Sequence, residues 1–549
     1  MTTLVLLLFA CLGSPEKRGD ADGDGFTIEE GDCDDNDRAV SPSGVETCDG
    51  RDEDCDGEVD LPAPAEAPLW SLDADGDGFG GAEALRSCET PDGAVDNADD
   101  CDDADAGRWP GAVERCDDQD DDCDPGTPDC PDDRLMIQGE TGHFGVVLGV
   151  GGGWLTDDPD ARVIAIADPG ALNNAGEVFV FAPGRLSEPE LGAAEANAYL
   201  LGALGDGALG GGILDAGGLM AAPGLIVGAR YGENVGGGWM SVLYGLDRDA
   251  LLAGDVERAP MTLWGDLNGL CLALHFDALV ARNIAVADVD GDGQDDLVVG
   301  GACYAVEGPG RILVLRGPLD GELYASDADQ TWIDPEGTEL AGLSLAVGAD
   351  LEGDGLPDIA IGALDADDYR GRVYLTGWDP GLPAPLADRA VGILTSDEPE
   401  GYFGEQVLAF GGGFVVGSSE LGGGVGTLYT LDVPVSGSQA ITELSTATLR
   451  GQTGDRFGAS LSAGDANGDG EEDLLVSTPY SDSHLYFGPL AGVIESYQDD
   501  ETEVAPRGSV DFGHNVVLED IDGDARADLV LSSPAESPVG GRVHVVVRW

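Results

Sequence analysis

Phe457–Pro479 reads FGASLSAGDANGDGEEDLLVSTP, and its three parts predict a hairpin closed by a metal ion. The alternation in FGASLSAG suits a strand with one buried face. Oxygen-bearing side chains then fall at positions 1, 3, 5 and 9 of a loop: Asp465, Asn467, Asp469 and Asp473. A hard cation such as Ca²⁺ takes about six to eight oxygens, and this spacing curls four side chains around one point, with the Glu471 carbonyl as a further ligand. Gly470, at position 6, permits the sharp turn. The second strand, DLLVSTP, is stopped by its proline.

The same loop recurs at intervals of roughly 60 residues, which points to radial repetition. ADVDGDGQDDLVVGG supplies Asp288, Asp290, Asp292 and Asp296, with the Gln294 carbonyl at position 7. ADLEGDGLPDIAIGA supplies Asp350, Glu352, Asp354 and Asp358, with Leu356 at that position, and EDIDGDARADLVLSS supplies Asp520, Asp522, Asp524 and Asp528, with Arg526. Ala525 stands where the other loops have glycine, so that turn is expected to be strained and its site weakened. Phe-Gly pairs open units at Phe144, Phe403, Phe457 and Phe512. Seven third-strand signals follow (GEVFVF, GGWMSVLYG, GRILVLRG, GRVYLTG, GTLYTL, SHLYFG, GRVHVVV), giving seven units over residues 134–549. The first, second and fifth carry glycine-rich turns such as FGGGFVV in place of the metal loop.

On these residues the region resembles the FG-GAP repeat family, whose best-known members build the propeller of integrin α-subunits. The resemblance implies an all-β fold, a seven-bladed β-propeller of four-stranded blades, with the Asp loops on one face. It also implies adhesion: an extracellular protein or glycan as partner.

Residues 19–133 are acidic and duplicated. The copies, about 20–60 and 73–130, share a DADGDGF loop, a DCDD cluster, a P-x-G-V-E or P-G-A-V-E turn and a closing Cys-Asp-x₅-Cys-Asp. This pattern resembles the MopE-like metal-binding repeat of bacterial surface proteins. Asp20, Asp22 and Asp24 occupy positions 1, 3 and 5 of a calcium loop, with the Phe26 carbonyl at 7; Asp73, Asp75, Asp77 and Phe79 repeat it. Asp52, Asp54, Asp56 and Asp60 form a third loop, whose counterpart in the second copy has Pro125 in place of Gly57. Neither DADGDGF loop has a carboxylate at position 12, and Glu29, Glu30 and Asp32 are candidates to close the first. Composition alone also fits a disordered acidic linker, but random acidic tracts do not repeat cysteine spacing. Arg18-Gly19-Asp20 spells an adhesion tripeptide, yet Asp20 is already the first ligand of a loop.

Eleven cysteines are present. Eight lie between Cys33 and Cys130, as suits a small-cored segment in an oxidising compartment. The repeat favours Cys48 with Cys55, Cys116 with Cys123 and Cys88 with Cys101, leaving Cys33 and Cys130 open. Cys271 and Cys303 fall within the third unit as a bond or as two buried thiols. Cys11 ends an apolar run, Leu4–Ala10, that resembles a bacterial lipoprotein signal within residues 1–18. No Lys or Arg precedes that run, and an ordinary signal peptide or a mis-assigned start are the other readings.

The net charge of −82 excludes nucleic acid as a partner and basic-patch docking on anionic lipid. Roughly 40 of the 107 acidic residues crowd the first quarter of the chain. The five histidines (His143, His275, His484, His514, His544) are scattered beside strand signals, and no nucleophile, zinc or phosphate-loop motif occurs. The reading is a non-enzyme: a monomeric, secreted or outer-membrane, cell-surface lipoprotein of a bacterium, touching membrane only through an anchor at Cys11. Several structural Ca²⁺ ions are its cofactors. Metal capture or storage, and a calcium-dependent lectin, are the alternatives.

Overall fold

The computed structural model describes residues 19–549 apart from 62, 66, 77, 83, 105–107, 111–122, 124–133, 140–142, 153, 156–161, 172–174, 183–189, 203–208, 211, 234–238, 266–282, 302–310, 335–339, 352, 382, 397–400, 419–424, 453, 480–481, 500, 505–511, 535–539 and 548–549. Cys11, Cys116, Cys130, Cys271 and Cys303, and the proposed ligands Asp77 and Glu352, lie outside the described residues. The chain divides into two units, Met1–Pro131 and Asp132–Trp549.

In the second unit, seven antiparallel sheets follow one another among the described residues. All seven third-strand signals form the third strand of their sheet: Glu177–Phe181, Trp239–Asp247, Arg311–Leu315, Arg372–Thr376, Thr427–Leu431, Asp482–Tyr486 and Arg542–Val546. First strands line up side by side in chain order, Val147–Gly152, Gly212–Asp215, Ile284–Ala287, Ala341–Val347, Gln406–Phe410, Leu461–Gly464 and Val516–Glu519, and the last lies beside the first. A ring results. It is tied by Arg134–Gln138 from the start of the unit, which pairs antiparallel with Arg542–Val546 near its end, Ile137 opposite Val543. Among the described residues each sheet's outermost strand is only two to four residues long, so the outer edges are short. Five sheets gain a fifth, parallel strand that the sequence did not reveal; Gly321–Tyr324 on Met261–Trp264 is one.

The core lies between neighbouring sheets, which explains the Phe-Gly pairs. Phe457 is fully buried and packs with Leu428 and Leu449 of one sheet and Leu474 and Val476 of the next. Phe144, Phe403 and Phe512 fill equivalent junctions. The glycine after each is left-handed, φ +87° at Gly145, +92° at Gly404, +88° at Gly458 and +71° at Gly513. A Cβ at Gly404 would lie 2.5 Å from the Arg372 carbonyl oxygen, so chain reversal and close approach both demand glycine there.

Among its described residues the first unit has a three-stranded sheet, with Leu69–Leu72 between Ala84–Arg86 and Ala94–Val95. Among the described cysteines, three disulfides join Cys33 to Cys55, Cys48 to Cys88 and Cys101 to Cys123. This corrects the expected Cys48–Cys55, Cys116–Cys123 and Cys88–Cys101 pairs. In each copy the DCDD cysteine reaches the closing cysteine 22 residues on, while Cys48 links the first copy to the second. Cys55 stands at the fourth position of its loop with φ +60°, where other loops carry left-handed glycine. That turn sets its sulfur against the DCDD segment, the Cys33 amide donating to it at 3.1 Å.

Candidate metal centres

The Asp465 loop shows how four side chains organise a turn. The Asp465 carboxylate accepts from the amides of Gly468 (2.7 Å), Asp469 (3.1 Å) and Gly470 (2.8 Å). Asn467 accepts from Asp469, and Asp469 from Glu471. Asp473, fully buried at the start of the second strand, accepts from Ala466 (2.8 Å) and Asn467 (3.2 Å) through Oδ2 and from Gly488 (2.9 Å) through Oδ1. Position 1 thus gathers the turn, and position 9 ties its entry to the sheet.

The other three propeller loops repeat this pattern. Asp288 gathers Gly291, Asp292 and Gly293, and Asp296 holds Val289 and Gly317. Asp350 gathers Gly353, Asp354 and Gly355, and Asp358 holds Leu351; Asp354 accepts from Leu356. Asp520 gathers Gly523 and Ala525, Asp528 holds Ile521, and Asp524 accepts from Arg526. One carboxylate oxygen from each of Asp288, Asp290 and Asp296 falls within 4.8 Å of the others, as for Asp520, Asp522 and Asp528. Ala525 takes φ +72°, the strained turn expected from the sequence. Burial, only partly offset by backbone donors, pushes the Asp296 and Asp473 carboxyls above the ordinary value.

Neighbouring loops touch. Leu356 would meet a Cβ on Gly291, Arg526 lies beside Gly468, and the Ala527 amide donates to the Asp465 carbonyl at 2.7 Å. Where the preceding sheet has a glycine-rich turn instead of a metal loop, position 8 is acidic and caps that turn. Asp295 accepts from Gly218 (2.6 Å), and Glu472 from Gly411 (2.7 Å). The loops that follow a metal loop have Pro357 and Ala527 at that position.

The Asp288 loop has a protein cation beside it. Arg316, just beyond the third strand of its sheet, pairs through Nε with Asp290 and through Nη2 with Asp292. The Asp292 carboxyl is held below the ordinary range, first by the Gln294 amide and then by the Arg316 guanidinium. Phe487 occupies the equivalent place in the Asp465 unit, before the same Gly-Pro pair.

In the first unit, Asp20 gathers Gly23 and Gly25, Asp22 accepts from Asp24, and Asp24 from Phe26. Single carboxylate oxygens of Asp20, Asp22 and Asp24 come within 4.8 Å of one another. Asp73 gathers Gly76 and Gly78, and the Phe79 ring stacks on Trp109. The carboxylates that tie these loops down come from far along the chain. Asp35 accepts from Ala21 (3.2 Å) and Asp103 from Ala74 (2.9 Å), so each DCDD cluster closes the loop before it. Asp32 is 2% exposed. Loss of solvent contact, then the charges of Asp24, Asp32 and Asp20, raise the Asp22 carboxyl. In the third loop Asp52 gathers Asp56 and Gly57, and Asp56 accepts from Glu58. Asp60 accepts from Gly50 at 3.2 Å, and the carboxylates that converge at this loop are Glu46, Asp52 and Asp54.

These residues fit a hard cation. Asp22 Oδ2, Asp24 Oδ2, Asp32 Oδ2 and Glu46 Oε2 are buried without a hydrogen-bond partner, an arrangement costly for an anion unless a cation meets it. The donors are oxygens; the described cysteines of this unit, Cys33, Cys48, Cys55, Cys88, Cys101 and Cys123, are spent in disulfides. An ion there would neutralise the mutual repulsion of its carboxylates.

Both units contain motifs shared with known proteins. A family model for a proposed metal-binding motif, Cu-binding MopE, matches residues 32–60 and 100–129, and the FG-GAP repeat model matches 280–315, 341–376, 457–492 and 512–546. The chain is 34% identical over 172 residues to integrin alpha-PS2 of Drosophila melanogaster, covering 29% of this chain and 12% of that protein. It is 31% identical over 190 residues to phosphatidylinositol-glycan-specific phospholipase D of Rattus norvegicus (30% and 22%) and 28% identical over 138 residues to integrin alpha-4 of Xenopus laevis (25% and 13%). The matches thus span less than a quarter of these relatives' length. This chain carries four FG-GAP repeats in its propeller unit, preceded by two copies of a MopE-like metal-binding motif.

Proposed function

We propose that this is a cell-surface protein whose loops hold structural Ca²⁺ and whose propeller binds an extracellular protein or glycan, without catalysis. The supporting observation is the repeated hairpin in which a buried position-9 aspartate faces two further loop carboxylates. Calcium supplies the charge that lets these groups stay ionised side by side; the chain supplies the oxygens and their orientation. The likeness to integrin α chains supports adhesion, with the ring face opposite the Asp loops as the binding face. Export with lipidation at Cys11 completes the reading. Among the described residues no helix is long and apolar enough to cross a membrane.

The test is to present the immobilised full chain to a glycan array and to surface-protein extracts, in calcium and in chelator. Calcium-dependent retention of a defined glycan or protein is expected. Equal signals in both conditions would reject the coupling of calcium to recognition. A second reading, metal capture by the first unit, is favoured by the MopE-like motif. Stoichiometric copper or zinc in protein purified from its native source would establish it.

A further inference from the structure

In the propeller loops the position-2 amide always donates to the position-9 carboxylate: Val289 to Asp296, Leu351 to Asp358, Ala466 to Asp473 and Ile521 to Asp528. The loop beginning at Asp52 breaks this rule in an informative way. Its position-2 amide, Glu53 N, donates to Glu46 Oε1 at 2.9 Å, and the Asp54 amide donates to the same oxygen at 3.0 Å. Asp60, the position-9 residue by count, accepts from Gly50 rather than from position 2.

The carboxylate clusters agree. In two propeller loops, positions 1, 3 and 9 converge within 4.8 Å; here the converging set is Asp52, Asp54 and Glu46. Glu46 is 4% exposed, and its second oxygen, Oε2, is buried with no hydrogen-bond partner. The neighbouring buried acid is not in this condition: both oxygens of Glu53 accept from Thr47. A buried carboxylate with one oxygen anchored to the loop, the other unpartnered and two more carboxylates within 4.8 Å is an arrangement that a cation stabilises.

We propose that Glu46 is the closing ligand of a divalent-cation site with Asp52 and Asp54, replacing the position-9 aspartate from upstream of its loop. The inference rests on the calcium reading above and deepens it. Glu46 lies in the P-x-G-V-E turn, so that turn serves as a ligand carrier. Gly44 lets it pass: a Cβ there would fall 2.0 Å from the Glu53 carbonyl oxygen. The Cys33–Cys55 disulfide enters the loop between Asp54 and Asp56, binding this site covalently to the DCDD segment that closes the Asp20 loop. The second copy keeps the spacing, Glu114 lying six residues before Asp120 as Glu46 lies before Asp52.

The test counts calcium on the full chain by equilibrium dialysis, comparing wild type with Glu46→Gln and Asp60→Asn. Glutamine retains the acceptor for Glu53 and Asp54, and asparagine the acceptor for Gly50. Glu46→Gln should lose one ion per chain, and Asp60→Asn none. A full count on folded Glu46→Gln, or a loss on Asp60→Asn, overturns the proposal while leaving calcium in the other loops. No calcium on the wild type overturns the parent reading as well. Should Glu46→Gln not fold, wild-type crystals grown with terbium decide. An anomalous peak bound by Glu46, Asp52 and Asp54 supports the site; a peak bound by Asp60 instead, or peaks in the propeller loops alone, contradicts it.

Discussion

Replacing Asp473 by alanine separates what the carboxylate does by itself from what it does for an ion. Three amides, Ala466, Asn467 and Gly488, lose their acceptor. An unpaired buried donor costs about 1–3 kcal/mol. With Gly488 partly open to water, the metal-independent loss should be about 4 kcal/mol. Calcium adds a second loss. A site with Kd near about 10⁻⁴ M contributes about 2.7 kcal/mol at a hundredfold excess of ion, and a loop without its closing carboxylate forfeits this. Urea unfolding followed by tryptophan fluorescence, in about 10 mM CaCl₂ and in chelator, reads both terms. The deficit should be about 4 kcal/mol in chelator and wider by about 2.7 kcal/mol in calcium. Equal deficits in the two conditions would refute the ion; a deficit under about 1 kcal/mol in chelator would refute the anchoring of the hairpin.

Three further outcomes follow from the loops. Arg316→Ala removes a positive charge beside Asp290 and Asp292, so calcium should bind that loop roughly three- to tenfold more tightly, read by lanthanide competition; unchanged affinity would show the pair to be idle. Ala525→Gly relieves a left-handed alanine and should stabilise the seventh sheet by about 1 kcal/mol, measured by the unfolding midpoint; a loss would count against strain at this turn. In chelator, burial holds Asp296 and Asp473 above their ordinary value. A folded-state pKa raised above the unfolded one gives stability that is full below about pH 4 and lost as pH rises through the raised value. The chelated protein should therefore melt lower as pH climbs from about 4 to about 7, and excess calcium should remove the slope because the ion keeps the carboxylates charged. A chelated protein that gains stability over that range contradicts the assignment.

Much of the propeller was legible because its signals are local. Asp-x-Asp/Asn-x-Asp-Gly-x-x-Asp fixes a turn through its own amides, and each third strand is a short apolar run that must be buried on both faces. The Phe-Gly pairs were visible as repeats, yet their purpose was not: Phe457 fills a gap between two sheets, which only closure of the ring creates. The first unit was read less well because its closing groups are distant in sequence. Asp35, Asp103 and Glu46 close loops from outside them, and counting to position 9 or 12 could not find them. The repeated glutamate of P-x-G-V-E was the available signal. The repeat alone does not give the disulfide map for a related reason: the left-handed turn at Cys55 brings its sulfur to Cys33, while Cys48 pairs across the copies with Cys88.

Calorimetric titration of the chelator-stripped full chain with CaCl₂ decides whether these hairpins are calcium sites. Saturable uptake of several ions, with Kd values of about 10⁻⁴ to 10⁻³ M and a melting temperature that rises with occupancy, is the predicted result. Heats of dilution alone, with an unshifted melt, would contradict it.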